Sequence, residues 1–246
     1  MRRTQDVMGM PITVDVRDPH ADPAALDAVF AELRHLDELF SPFKSESAVT
    51  RINDGRLALA DAPVLVHEVL ALCADYERRT RGFFSPWHAG HLDPSGLVKG
   101  WALARASAIL DARGHRDYFV DGAGDVWASG HRAPGAPWRV GIRHPVERDK
   151  VVRVVLASDL AVATSGTYEK GDHIYDPHTG RPATALLSLT VTGPGIVDAD
   201  VFATAAFAMG DGALEFIEAQ PGHEAYAIDR ELRGRWTTGF EALCER

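Results

Sequence analysis

The sequence predicts an α+β fold of mixed sheets with packed helices, and three observations carry that reading. Some stretches place apolar residues at helical spacing, and others alternate apolar with polar residues as half-buried strands do. The two kinds of stretch do not follow one another as regular βαβ units, which argues against a doubly wound parallel sheet. No internal repeat or low-complexity linker divides the chain, so residues 1–246 are read as one domain.

Taken in order, Ile12, Val14 and Val16 alternate with polar neighbours and predict a first strand. Asp22 supplies a helix N-cap with Pro23 at the first helical position. Leu26, Val29, Phe30, Leu33, Leu36, Leu39 and Phe40 then form one apolar stripe, and Pro42 ends that helix. A second helix is expected from near Asp61 and Pro63, with Val66, Val69, Leu70, Cys73 and Tyr76 facing inward, ending before Gly82. Gly82 to Pro94 reads as a loop, rich in Gly, Pro, His and aromatics. A third helix is expected over about Ser95 to Asp111. Strands follow at Tyr118–Val120, Val126–Ala128, Trp138–Ile142, Val151–Leu156 and Leu160–Thr164, with a further loop over Gly166 to Thr184. Leu187–Thr192 is another strand, then helices over Asp198 to Met209 and Gly212 to Glu218, and a late strand at Ala225–Ile228.

Bulk properties narrow the function. A chain of 246 residues can bury a substantial core, and 46% apolar with 25% charged residues is ordinary globular composition. The formal net charge of -9 argues against broad adhesion to nucleic acid or to anionic membrane. An anionic ligand then needs cations, or a metal, gathered locally. Cys73 and Cys244 suggest neither a disulfide framework nor a CxxC metal site. The N-terminal residues lack a signal-peptide apolar core and a lipobox cysteine, and no stretch approaches the roughly 18 apolar residues of a membrane span. The expectation is a cytoplasmic protein with reduced thiols.

Four segments carry residue types suited to chemistry. Leu92 to Trp101 offers a Gly-containing turn opening a helix, whose free amides and dipole suit phosphate oxygens, with Lys99 as a point charge. On pattern alone an ordinary helix start with a solvated lysine is the favoured reading. Thr164-Ser165-Gly166 with His173 to Pro182 gathers hydroxyls, two histidines, Asp176 and Arg181; a histidine there suits proton transfer near neutral pH. The plain alternative is a polar hairpin in which Asp176 and Thr179 satisfy turn amides. Asp200 and Thr204 lie four apart on one helix face and offer the hard oxygens that Mg²⁺ prefers, or else merely a helix carboxylate and a back-bonded threonine. Asp121 to Asp125 is a small-residue turn between strands, on spacing alone a hairpin. His88 and His91 have no obvious third metal ligand, and Arg34 and His35 are read as solvent-facing.

In this order the segments resemble the ApbE family, the FAD:protein FMN transferases. Met8-Gly9-Met10 is similar to the family's start before its first strand, and Phe40-Ser41-Pro42-Phe43-Lys44 through Ser47 to Asn53 is similar to its Phe-Ser-x-aromatic segment ending in Ser-Arg-aliphatic-Asn. Asp93 to Gly100 resembles its Asp-Leu-Gly-Gly-Ile-Ala-Lys-Gly motif, and Asp121 to Asp125 its Gly-Gly-Asp turn. Thr164-Ser165-Gly166 with His173 to Pro182 resembles its Thr-Ser-Gly and His-Ile-x-Asp-Pro-x-Thr-Gly pair. Asp200 to Ala205 resembles its Asp-Ala-Leu-Ala-Thr-Ala helix. Two departures stand out: Ser85-Pro86-Trp87 leads almost directly to Asp93, and Ala123 replaces one glycine of the turn.

The resemblance implies a T-fold-like architecture and transfer of FMN from FAD to a Thr or Ser hydroxyl of a partner flavoprotein bearing a Ser/Thr-Gly-Ala-like motif. It implies Mg²⁺ on the Gly96 carbonyl, the Asp200 carboxylate and the Thr204 hydroxyl. Met8, Phe43, Asp93, Lys99, Ser165 and Asp176 take flavin-nucleotide positions, and His173 with Asp200 takes the catalytic ones. The alternatives are an FAD pyrophosphatase, with water as acceptor, and an FAD-binding protein without turnover.

Overall fold

Arg2–Val7 (β1) and Met10–Val16 (β2) form an antiparallel hairpin in the computed structural model, which describes residues 1–147, 149–167 and 174–245. Both residues of the connecting turn, Met8 and Gly9, have positive φ (59° and 73°), the twist that a two-residue hairpin turn requires. Pro23–Phe40 (α1) follows, with the Asp22 carboxylate accepting from the Ala24 amide at its N-terminus. Its predicted stripe is buried except for Leu39, which is half-buried against the core. Ser47 caps a short helix, Ala48–Asn53 (α2), by accepting from the Thr50 amide. A 3₁₀ turn at Leu59–Asp61 leads into Val64–Arg79 (α3).

The two segments read as loops each contain a small strand pair. Trp87–His88 (β3) and His91–Leu92 (β4) form one, just before Ser95–Ala112 (α4). Tyr118–Gly122 (β5), Asp125–Ser129 (β6), Trp138–Arg143 (β7), Val151–Ala157 (β8) and Leu160–Gly166 (β9) come next. Tyr175–Asp176 (β10) and Arg181–Pro182 (β11) are the second small pair. Leu186–Gly193 (β12), Ile196–Met209 (α5), Ala213–Glu218 (α6), Glu224–Asp229 (β13) and Gly234–Trp236 (β14) close the chain.

Eight strands form one sheet in the order β1-β2-β5-β6-β9-β12-β13-β14, and every neighbouring pair is antiparallel. Side-chain alternation sorts its faces. On β9, Ala161 and Ala163 join the main core while Val162 joins a second cluster with Ile142, Val155, Ile228 and Phe240. On β13, Ala225 and Ala227 face the main core, and Tyr226 and Ile228 the second cluster. Helices α1, α4 and α5 therefore cover one face, and the β7–β8 hairpin covers the other.

α5 lies against β9, β12 and α4. Its alanines at 199, 203, 205 and 206 are all at most 1% exposed, so the helix sits close to its neighbours on every side. Gly100 of α4 makes that approach possible. A Cβ there would stand 2.9 Å from the Asp200 Cβ and 3.0 Å from the Ile196 carbonyl oxygen.

Candidate active site

The crossing of α4 and α5 brings Lys99 and Gly100 against Asp200. The Gly100 amide donates to Asp200 Oδ2 at 2.8 Å, and Lys99 Nζ lies 3.2 Å from Asp200 Oδ1. The same ammonium makes a closer ion pair with Asp125 Oδ2, contributed by the first residue of β6. Asp125 Oδ1 accepts from the Thr164 amide at 2.8 Å, which ties this carboxylate to β9. Next along β9, Ser165 Oγ lies 3.4 Å from Thr204 Oγ1, one helical turn beyond Asp200. Two helices and two strands thus meet in one polar group under the main core.

Burial grades across this group. Asp125 and Asp200 are each 2% exposed and form its floor, whereas Gly96, Lys99 and Thr204 are half-buried. Burial pushes the Asp200 carboxyl well above the ordinary carboxylate range; Lys99 pulls it down, and the Asp125 charge pushes it up again. For Lys99, burial alone would lower the ammonium's pKa, but Asp125 and Asp200 outweigh it and hold the side chain charged. The floor therefore carries two acidic groups against one ammonium.

That donor set fits a hard divalent cation. A Cβ built on Gly96 would lie 3.9 Å from the Thr204 methyl, so the two residues face each other across the α4–α5 crossing. A backbone carbonyl, one carboxylate and one hydroxyl are the oxygen ligands Mg²⁺ takes, with room for water and phosphate. Among the described residues no cluster of three or more His, Cys, Asp or Glu could hold a metal, which leaves softer, nitrogen- or sulfur-rich sites without a candidate.

A rim of short elements flanks the site. Asp93 Oδ1 accepts from the Ser95 amide and so fixes the start of α4. Asn53 reaches from α2 to Leu92 of β4, donating to its carbonyl at 2.9 Å and accepting from its amide at 2.7 Å. His178 Nε2 lies 3.0 Å from the Arg81 carbonyl oxygen, and its ring packs edge-on against Phe83. His88 stacks on Tyr175 at 4.7 Å between ring centres, so the hairpins β3–β4 and β10–β11 lean on each other.

The structure brings Gly96, Lys99, Ser165, Asp200 and Thr204 together and leaves other expected residues apart. The Asp176 carboxylate accepts from the His178 amide and from Thr179 Oγ1, closing the β10–β11 turn in the plain way the sequence also allowed. Met8 is half-buried in the β1–β2 turn, at the same sheet end as Ala123, whose amide donates to the Pro11 carbonyl. Phe43 is 93% exposed in the turn after α1 and is not part of the buried group. His173 lies outside the described residues.

The sequence assigns no site role to Asp125 or Asn53. The turn before Asp125 is the hairpin that spacing suggested, with Ala123 and Gly124 at φ 54° and 99°. Only the pairing of β6 with β9 and the approach of α4 give its last residue an electrostatic role. Asn53 reads from the sequence only as the end of a resembling motif.

Comparison with known proteins converges on one family. The model of the ApbE family matches residues 8–90 and 87–227. An FAD:protein FMN transferase of Vibrio cholerae is 33% identical over 131 residues, covering 49% of this chain and 39% of the relative. One from Rhodobacter capsulatus is 37% identical over 145 residues, covering 56% and 28%. The chain thus matches less than half the length of these relatives. Among solved structures, an ApbE protein of Thermotoga maritima superposes with a TM-score of 0.89 at 22% identity, covering 100% of this chain and 99% of that one. The flavin transferase ApbE of Vibrio cholerae gives 0.84 at 20% identity, covering 99% and 98%. These superpositions establish the shared fold.

Proposed function

The chain belongs to the ApbE family, and from that premise we propose that it is an FAD:protein FMN transferase. It cleaves the pyrophosphate of FAD, passes the FMN phosphoryl group to a Ser or Thr hydroxyl of an acceptor flavoprotein, and releases AMP. The observation that carries this reading is the meeting of Gly96, Lys99, Asp200 and Thr204 where α4 crosses α5. Pyrophosphate chemistry depends on positioning and charge more than on covalent help, and this group supplies both. The related proteins are FAD:protein FMN transferases, which supports the same substrate.

The Gly96 carbonyl, the Asp200 carboxylate and the Thr204 hydroxyl would hold Mg²⁺, which when bound neutralises pyrophosphate charge and eases departure of AMP. Lys99 supplies positive charge to the phosphate oxygens. Asp93 keeps the start of α4 in place through the Ser95 amide. We assign Met8, Phe43, Ser165 and Asp176 to the walls of the flavin-nucleotide site on the strength of the sequence resemblance. His173 takes the proton from the acceptor hydroxyl as its oxygen bonds to the FMN phosphorus. The bond from that phosphorus to the bridging oxygen breaks, and AMP leaves with that oxygen.

The test is intact-mass measurement of a flavoprotein bearing a Ser/Thr-Gly-Ala-like motif after incubation with this protein, FAD and Mg²⁺. The acceptor is expected to gain FMN less one water, as yellow fluorescence that survives denaturation, and a folded His173→Ala variant is expected to lose that labelling. FMN released at a rate undiminished by acceptor means hydrolysis instead, and tight FAD retention without either product means a binding protein. Either result overturns the transferase reading.

A further inference from the structure

Asp125 has no part in the chemistry just described, yet it is 2% exposed and holds the shortest ion pair of the site. Its two oxygens do different things. Oδ1 is fixed by the Thr164 amide at 2.8 Å, so the carboxylate is anchored to the middle of the large sheet. Oδ2 faces the Lys99 ammonium. Asp200 is likewise divided: the Gly100 amide occupies Oδ2 at 2.8 Å, and Oδ1 is the oxygen left for a cation. Lys99 Nζ already lies 3.2 Å from that Oδ1. An ammonium and a divalent cation therefore compete for one oxygen, and the outcome depends on where the ammonium rests. Between the two carboxylates it rests closer to Asp125.

We propose that Asp125 is a positioning residue that draws the Lys99 ammonium away from Asp200 Oδ1 and so sets the affinity of the site for a divalent cation. Without the Asp125 charge, Lys99 has Asp200 as its remaining carboxylate partner and occupies the position the cation needs. The Oδ1 bond to β9 matters because it denies Asp125 the freedom to follow the ammonium. The inference rests on Asp200 being a cation ligand, as proposed above.

The experiment is calorimetric titration of Mg²⁺ alone into the full chain, free of FAD, in a cycle of wild type, Asp125→Asn, Lys99→Met and the double variant. Asn keeps an acceptor for the Thr164 amide while removing the charge. Expected is an approximately tenfold or greater loss of Mg²⁺ affinity in D125N, within the range for groups that orient metal ligands. In the K99M background the same substitution is expected to cost less than about threefold, since no ammonium remains to be released onto Asp200. Equal losses in both backgrounds mean that Asp125 acts through its own field and overturn the proposal, as does an unchanged affinity in D125N. If D125N does not fold, D125E replaces it in the cycle. The longer carboxylate pushes the ammonium toward Asp200 at constant charge, so loss in the wild-type background with none in K99M is expected, and any other pattern overturns the proposal. A wild-type protein that binds no Mg²⁺ defeats the cation reading itself, and this inference with it.

Discussion

Lys99, Asp125, Asp200 and Thr204 are carried by long helices and by strands inside an eight-stranded sheet, and each is held by bonds from a different element. The hairpins β3–β4 and β10–β11 have two-residue strands and exposed aromatics such as Trp87 and Tyr175; Leu92 is their one strand residue in the main core, and a ring stack joins them. The contrast separates two tasks. In the proposed reaction, the charge that must stay within a fraction of an ångström of a reacting phosphate would sit where the fold is rigid. Short elements of this kind can rearrange at little cost, which would suit them to meeting an acceptor in the proposed reaction.

The buried region breaks hardest at Asp200. Asp200→Asn keeps an acceptor for the Gly100 amide but removes the charge a cation needs, and FMN transfer is expected to fall roughly a thousandfold, a loss of several kcal/mol. Its effect on stability has the opposite sign. Burial raises the Asp200 pKa in the folded protein, so the folded state keeps a proton the unfolded chain has lost. Stability therefore declines as pH rises from the ordinary carboxylate range through the raised value, and asparagine, with no proton to lose, abolishes that part of the decline. Melting temperatures from about pH 4 to about pH 9 without metal check this; parallel curves for the two proteins remove the assignment.

Gly100→Ala tests rigidity rather than charge. The new methyl meets Asp200 Cβ at 2.9 Å and both Asp200 Oδ2 and the Ile196 carbonyl at 3.0 Å, so α4 and α5 must separate. Overpacking of this kind costs about 1–3 kcal/mol, read as a lowered denaturation midpoint, and transfer falls with it because Asp200 moves. Loss of stability with full activity shows that the crossing is not what aligns the site.

The same division governs what the sequence discloses. Helical spacing locates α1 and α3, and the alternation of Ile12, Val14 and Val16 with polar residues identifies β2, because one face of each carries its apolar residues. By contrast β9 and β13, buried on both faces, read only as short apolar runs. β1 is harder to read: Arg2 to Val7 is almost wholly polar, and its pairing as an edge strand follows from β2 rather than from its own residues. Leu92 and Tyr175 look like loop residues because strands of two residues have no period, and Asn53 and His88 supply the contacts that hold them. Within the site, the pairing of Asp200 with Thr204 is legible from helix geometry alone. The pairing of Lys99 with Asp125 is not, since it depends on β6 entering the sheet beside β9.

The rim yields the smallest expected effect and the sharpest test of the comparison. His88 and Tyr175 stack at 24° between ring planes, but both are exposed, so His88→Ala should lower stability by about 0.5 kcal/mol, the low end for aromatic pairs. If the hairpins recognise the acceptor and take no part in phosphoryl transfer, freeing them raises the KM for acceptor severalfold and leaves kcat unchanged. Steady-state labelling at varied acceptor concentration separates the two constants. A fall in kcat would place the His88–Tyr175 stack in the reacting geometry, and the line between a rigid chemical floor and an adaptable rim would then have to be redrawn through β3 and β10.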